Sequence, residues 1–220
     1  MKKIMFDDRF GLTQAVLEGT KTMTRRMVPD IPPVMKIARD GTMEFYPATR
    51  LEFSNGVLRS FHETCKGREG WYTLPAYCQP RYKIGEIVAV AQKYCEVMAY
   101  LADSFCQPRP DYMMDKAAWN NKMFVRADLM PHQIRVTDIR VERIQDISNE
   151  DCLREGIYLD KTAPPCYRPF YTFQGSQECG TPVGYHTARE AYEGLITQLS
   201  SKITWDDNPY VFVYTFELVK

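Results

Sequence analysis

The sequence lacks several features that would assign it to a class of protein directly. It has no apolar run near the ~20 residues that span a bilayer. Asp7 and Asp8 interrupt the charged start of the chain before the ~7-residue apolar core of a signal peptide could form. Its 28 basic and 28 acidic side chains leave no net charge to draw the molecule to nucleic acid or anionic lipid. These absences predict a cytoplasmic protein that does not contact membranes.

Metal and cofactor motifs are also missing. The seven cysteines form no Cys-x-x-Cys pair and are odd in number, which is typical of reduced thiols in a reducing compartment. His62, Cys65 and Cys78 could begin a zinc site, but no fourth ligand stands at a matching spacing, which favours semi-buried thiols. A phosphate-binding loop, His-Glu-x-x-His and Gly-x-Ser-x-Gly are absent. We therefore expect no cofactor and no required metal.

Hydrophobic patterning predicts a few short helices and four main strands. Helical spacing indicates a helix at about 11–18, another after Ser148, and the clearest one after the capping box formed by Thr187 and Glu190. Strands are predicted at 2–6, 86–94, 133–144 and 209–219. A change of phase near Thr137 predicts a β-bulge. The pattern favours an α+β fold, a small mixed β-barrel with short flanking helices, over a doubly wound sheet.

Three segments separate these elements. Residues 28–81 and 158–186 are rich in proline, which breaks long elements, and we expect them to be irregular insertions. Residues 95–122 are a further insertion. We predict one domain over residues 1–220 that contains all three.

Residues 18–26 concentrate hydroxyl and cationic side chains directly after a predicted helix end. Such clusters bind phosphate or carboxylate groups. A solvated basic edge strand explains the same composition equally well.

Four blocks of the sequence carry a resemblance to a known family. The first includes the run Lys21-Thr22-Met23-Thr24-Arg25-Arg26, and the blocks together span 4–27, 82–94, 134–157 and 188–219, fewer than half of the residues. In this order they resemble ASCH-domain proteins, relatives of the PUA fold of RNA-modifying enzymes, and above all the larger phage and prophage members. The resemblance implies a PUA-like barrel whose cleft binds a nucleoside or RNA.

The family also implies an activity. One small bacterial member is an amidohydrolase that removes the acetyl group from N4-acetylcytidine with a lysine, a threonine and a glutamate. Its Lys-Thr-x-Thr segment is similar to residues 21–24, which would make Lys21 and Thr24 catalytic. Its glutamate matches Glu155 when the helices are set end to end.

These residue types suit acyl transfer. A lysine whose pKa is lowered by burial or by cations such as Arg25 and Arg26 can take the proton of a threonine hydroxyl. Glu155 lies at a helix C-terminus, where a carboxylate is disfavoured and needs a cationic partner, and Lys21 could serve. Because residues three apart point to opposite faces of a flat strand, Lys21 and Thr24 can act together only if their segment is turned or bulged.

Two mechanisms remain open at this point. In the first, Thr24 attacks an amide carbonyl, Lys21 takes its proton and gives it to the leaving amine, and Glu155 holds Lys21 and later helps activate water. In the second, Glu155 activates water directly while Lys21 and Thr24 stabilise the oxyanion.

Further residues are candidates for binding substrate or nucleic acid. The cations are Arg25, Arg26, Lys122 and Arg126, and the aromatic residues Trp71 and Tyr82 could stack a flipped base or simply plug a barrel mouth. Arg140 and Arg143 are expected on the solvent face of their strand. A non-catalytic module for RNA or single-stranded nucleic acid of phage origin, or a protein that acts through protein contacts, would use the same fold.

Overall fold

The fold is mixed α+β in a computed structural model that describes residues 1–37, 42–63, 70–98, 116–161, 170–178, 181–199 and 205–219. The strands are β1 (Lys3–Ile4), β2 (Met23–Met27), β3 (Val34–Ile37), β4 (Met43–Tyr46), β5 (Arg50–Ser54), β6 (Val57–His62), β7 (Gly70–Thr73), β8 (Ile87–Val90), β9 (Gln133–Arg143), β10 (Tyr158–Asp160), β11 (Phe170–Thr172), β12 (Gln177–Glu178), β13 (Thr181–Pro182) and β14 (Tyr210–Val219). The helices include α1 (Leu12–Leu17), α2 (Lys116–Asn120), α3 (Asn149–Arg154) and α4 (Ala188–Leu199). None of the described helices is long and apolar enough to cross a membrane.

The four predicted strands and β2 form the main sheet, in the order β1-β8-β9-β14-β2. Only β1 and β8 run parallel, and the other neighbours are antiparallel. In the ladder of β9 and β14 the partner of Thr215 is Asp138 and that of Phe216 is Val136. Thr137 is therefore the extra residue, and the predicted bulge is confirmed.

The predicted helix boundaries are confirmed by their caps. Ser148 Oγ accepts a hydrogen bond from the Asp151 amide at 3.1 Å at the start of α3, and Gly156 follows the end of α3 with φ +107°. Gly19, after α1, has φ +75°, a left-handed conformation that glycine adopts without a steric penalty. The apolar faces of these helices and of α4 join the core of the main sheet.

Closure of the sheet into a barrel is not confirmed. The strands β1 and β2 are the two edges of the main sheet, and no strand pairing joins them within the described part of the chain. One side-chain contact spans the gap, since Arg26 Nη2 donates to the Met5 carbonyl at 2.6 Å. The mixed α+β architecture is confirmed. The candidate site lies at the gap between these two edges.

The prediction that the first insertion is irregular was wrong. Residues 28–81 contain the hairpin β3-β4 and a three-stranded sheet of β5, β6 and β7. The prolines lie between these strands, where they do not remove a ladder hydrogen bond. In the late insertion, 158–186, β10 pairs with β11 and β12 with β13, while residues 99–115 of the third insertion lie outside the described residues.

Candidate active site

A cavity of about 420 Å³ lies between the segment after β1, strand β2 and helix α4. Lys21, Thr24, Arg25, Arg26 and Glu155 all line it. Its wall also includes the apolar side chains Phe6, Leu12, Met27, Leu195, Ile196 and Leu199. The three residues that the family resemblance marks as catalytic therefore face one partly apolar space.

Backbone contacts explain why Lys21 and Thr24 share this space. After the turn at Gly19, the Lys21 amide donates to the Ala15 carbonyl at 2.9 Å. The next amide, that of Thr22, donates to the carbonyl of Arg154 at 3.0 Å, which ties the segment to the end of α3. Lys21 thus precedes β2 instead of lying within it. Lys21 and Thr24 line the same cavity, although the turn ends before Lys21 and β2 begins at Met23.

Lys21 and Glu155 form a buried pair. Lys21 Nζ lies 2.6 Å from Glu155 Oε2 and 2.6 Å from the Glu155 carbonyl oxygen. The two residues are 2% and 4% exposed. Glu155 caps the C-terminus of α3, and Lys21 is the partner that the sequence indicated for it.

Arg25 holds the opposite side of the same carboxylate. Its Nη1 lies 3.0 Å from Glu155 Oε1, and its Nη2 lies 2.6 Å from Glu142 Oε1 and 3.2 Å from Asp151 Oδ2. Arg140 continues the network, with Nε 2.9 Å from Glu142 Oε2 and Nη2 in contact with Asp151. Glu155 is therefore fixed through both oxygens.

The charges of this network balance without Lys21. Arg154 Nη1 lies 3.6 Å from Asp151, so that arginine joins Arg25 and Arg140 opposite the three carboxylates. Burial lowers the pKa of Lys21, the Glu155 carboxylate opposes that shift, and Arg26 and Arg25 lower the pKa further. The net effect is a pKa below the ordinary value of 10.5.

The Thr24 hydroxyl is available. Thr24 lies on β2 opposite Tyr214, is 5% exposed and lines the cavity. Its side chain makes no hydrogen bond to any residue that the structure describes. A hydroxyl without an internal partner can engage a substrate.

The lowered pKa of Lys21 predicts how stability depends on pH. Between that lowered pKa and 10.5 the unfolded chain binds more protons at this residue than the folded chain does. The free energy of unfolding should therefore rise with pH through this window, and Lys21→Met should lose that rise. Urea unfolding of both proteins from about pH 7 to 9.5 measures it. Equal pH dependence in the two proteins would contradict the shift.

The other predicted binding residues are distributed differently. Arg25 is committed to carboxylates, and its side chain is 1% exposed, so the expected phosphate contact at Arg25 is not supported. Arg26 is exposed at the cavity mouth, with its guanidinium carbon 5.8 Å from the centre of the Phe6 ring. Tyr82 is buried, donates its hydroxyl to the Lys3 carbonyl at 2.9 Å and lines a neighbouring cavity.

Besides Tyr82, three predicted residues do not line the catalytic cavity. Lys122 Nζ binds Asp8 Oδ1 at 2.6 Å and fixes the segment after β1. Arg126 pairs with Asp128 on the surface, and Trp71 packs against Phe61 in the three-stranded sheet. Their positions do not bring them to Lys21.

Two residues of the site were not identified from the sequence. Arg140 was expected on the solvent face of β9 but pairs with Glu142 and with Asp151, because α3 lies against this face of the strand. Tyr192 lies on the apolar face of α4 and lines the cavity. It is buried with its ring centre 5.9 Å from the Arg25 guanidinium carbon, and burial raises the pKa of its hydroxyl well above 10.0.

His62, considered as a zinc ligand, has other partners. Its Nε2 lies 2.7 Å from Ser60 Oγ and its Nδ1 lies 2.8 Å from the Tyr46 carbonyl. Cys65 lies outside the described residues. No group of three potential ligands that could hold a metal occurs in the described ranges.

Comparison with protein-family models, with curated proteins and with solved structures found no match for this chain.

Proposed function

We propose that this protein hydrolyses the N-acyl amide of a nucleoside, of the N4-acetylcytidine type, in the cavity lined by Lys21, Thr24 and Glu155. The observation that carries the proposal is a buried lysine of lowered pKa, held on two oxygen atoms of Glu155, beside an unpaired threonine hydroxyl. We further propose that the fold is a PUA-like barrel of the ASCH type. The Arg26 contact across the gap between β1 and β2 supports that assignment.

The hydrogen bonds of Lys21 suit a neutral amine. A neutral amine has two N–H donors and one lone pair, and Lys21 Nζ has two acceptors, both on Glu155. The lone pair of the nitrogen is then available to accept a proton from a group in the cavity. Because three arginines already balance the three carboxylates, loss of the lysine proton leaves no carboxylate without a partner.

In the first step, Thr24 Oγ attacks the amide carbonyl carbon while Lys21 takes the hydroxyl proton. The tetrahedral intermediate collapses when the carbon–nitrogen bond breaks and Lys21 returns that proton to the leaving amine. The products are the free base amine and an acyl ester on Thr24.

In the second step, a water molecule attacks the ester carbonyl while Lys21 takes one water proton. The ester bond breaks, Lys21 gives the proton to Thr24 Oγ, and the acid leaves. Both Glu155 oxygens already accept hydrogen bonds, from Lys21 and Arg25. This arrangement favours Glu155 as the residue that holds Lys21 over Glu155 as a direct base for water.

Cavity size and lining fit a nucleoside. A volume of about 420 Å³ lies within the range of small-molecule pockets, roughly 300–1,000 Å³. The apolar side chains of α4 and of Phe6 offer a surface for a planar base. Most polar groups of the lining lie at β2 and at the end of α3, and Asp7 and Tyr192 add one each from the segment after β1 and from α4.

Chromatography of N4-acetylcytidine incubated with the parent protein and with Thr24→Val tests the proposal. The parent should release cytidine and acetate, and Thr24→Val should be slower by about a hundredfold or more, because valine has the same shape without the nucleophile. Thr215→Val is the matched control, since Thr215 lies on β14 and does not line the cavity.

Mass spectrometry of rapidly quenched parent should show one acetyl group on Thr24. Turnover without that adduct would favour direct attack by water. Absence of release by the parent would overturn the hydrolase proposal and favour a non-catalytic module that binds RNA or single-stranded nucleic acid.

A further inference from the structure

A second cavity, of about 290 Å³, adjoins the catalytic one. Met5, Arg26 and Met27 line both cavities, so Arg26 stands at their common wall.

The second cavity is cationic. Lys3, Arg26 and Arg81 line it, and its described lining residues include neither aspartate nor glutamate. Burial lowers the pKa of Lys3 and the neighbouring charge of Arg81 lowers it further, while Lys3 Nζ donates to the Met123 and Val125 carbonyls at 2.6 and 2.7 Å. The nearby carboxylate of Glu86 is already paired with Lys2 at 3.0 Å.

Arg81 has unused hydrogen-bonding capacity. Its guanidinium makes no hydrogen bond or ion pair with any part of the chain that the structure describes, and its carbon atom lies 5.7 Å from the centre of the Tyr82 ring. Its backbone is fixed, because the Arg81 amide donates to the Tyr214 hydroxyl at 3.0 Å and the Arg81 carbonyl accepts from Lys2 Nζ at 2.6 Å. A fixed backbone with a free guanidinium is suited to binding an anion.

Aromatic side chains complete the second cavity. The rings of Tyr82 and Tyr214 meet edge to face with their centres 5.3 Å apart at its wall. Tyr77 is 64% exposed and lines the same cavity. Exposed aromatic rings beside cations are the combination that binds nucleotides, since the ring stacks on a base while the cation contacts phosphate.

We propose that the second cavity is a phosphate subsite, in which Arg81 and Arg26 bind the phosphate of a nucleotide whose base occupies the catalytic cavity. This inference rests on the proposed function and narrows it: the substrate is a phosphorylated nucleotide or a nucleotide within an RNA chain, and a free nucleoside is the poorer substrate. A 5′-phosphomonoester and an RNA phosphodiester share this chemistry.

The first arm of the test measures binding without turnover. Equilibrium titration compares cytidine, cytidine 5′-monophosphate and the dinucleotide cytidylyl-cytidine on the parent, on Arg81→Gln and on Arg135→Gln. Arg135 is a surface residue paired with Glu217 and lines neither cavity, so the control removes one positive charge elsewhere.

The phosphate should tighten binding to the parent and to Arg135→Gln by about tenfold or more at low salt, as a charged hydrogen bond does. Arg81→Gln should lose that gain and bind cytidine like the parent. A gain for the monophosphate alone indicates a monoester site, and a gain for the dinucleotide indicates an RNA strand. No gain from either phosphate, or a gain that survives in Arg81→Gln, would overturn the subsite.

The second arm measures hydrolysis of N4-acetylcytidine and of its 5′-monophosphate by the same three proteins. The parent should favour the phosphorylated substrate in kcat/KM by about tenfold, and Arg81→Gln should remove the preference without slowing the nucleoside. Hydrolysis without a phosphate preference would reject the subsite and keep the proposed function. Phosphate binding that depends on Arg81, with no hydrolysis of either substrate, would reject the hydrolase and keep the subsite.

Discussion

Replacement of Lys21 by methionine should stop the hydrolysis of N4-acetylcytidine and leave the protein folded. Methionine has a similar length but no basic nitrogen, so neither Thr24 nor the attacking water can give up its proton at this position. A positioned general base contributes about 10²–10⁴-fold to rate, and kcat should fall by that amount. Steady-state kinetics on N4-acetylcytidine measure the loss.

The fold of Lys21→Met should survive because Glu155 keeps Arg25 as a partner at 3.0 Å. Removal of a fully buried nitrogen also removes its desolvation cost. The urea midpoint should therefore stay near that of the parent. Lys93→Met, which removes a lysine paired with Glu96 outside the catalytic cavity, is the control for charge. An active Lys21→Met protein would contradict the assignment of the base.

Local sequence signals predicted the parts of the fold that depend on neighbours in the chain. The cap at Ser148, the left-handed glycines 19 and 156, and the bulge at Thr137 are each specified within a few residues. The strands of segment 28–81 were not predicted, because its prolines indicated an irregular insertion and the strands between them are short. The strands β4, β5 and β7 bury little, so the hydrophobic pattern that reveals a strand is weak there, and only β6 buries most of its side chains, among them Leu58 and Phe61.

The candidate site was predictable only in part, for a related reason. Lys21 and Thr24 belong to one short segment. Because a carboxylate at a helix C-terminus needs a cationic partner, Lys21 could be predicted as the partner of Glu155. The network behind them joins residues far apart in sequence, with Arg25 and Glu142 on separate strands and Asp151 on a helix. No local pattern encodes such contacts, since they depend on how β2, β9 and α3 pack.

Replacement of Arg25 by methionine should be among the most destabilising single changes in the molecule. Its buried guanidinium faces Glu142, Asp151 and Glu155 at 2.6 to 3.2 Å. Burial alone would lower the pKa of Arg25, but the charges of Glu155 and Glu142 outweigh that effect and raise the pKa above its ordinary value, so the guanidinium stays charged. Removal of one partner from a buried ion pair costs about 3–5 kcal/mol, because the other charges remain desolvated. Urea unfolding should show a loss of this size.

Two further variants separate charge from packing at this position. Arg25→Lys keeps the charge but cannot bridge three carboxylates at once, so an intermediate loss is expected. Arg135→Met, at a surface pair 48% exposed on the arginine side, should change stability by less than about 1 kcal/mol. A loss at Arg25 no larger than that at Arg135 would mean that the network does not hold the end of α3.

Arg25→Met should also alter the pH dependence of hydrolysis, because Arg25 influences the pKa of Lys21. Arg25 is one of the cations that lower the pKa of Lys21, and without it Glu155 has only Lys21 as a close cationic partner. Both effects raise the pKa of Lys21, so less of the neutral amine is present near pH 7. The rate of any folded Arg25→Met protein should therefore rise with pH over a range displaced upward from that of the parent. If the rate of Arg25→Met rose over the same pH range as that of the parent, Arg25 would be a structural residue without influence on the pKa of Lys21.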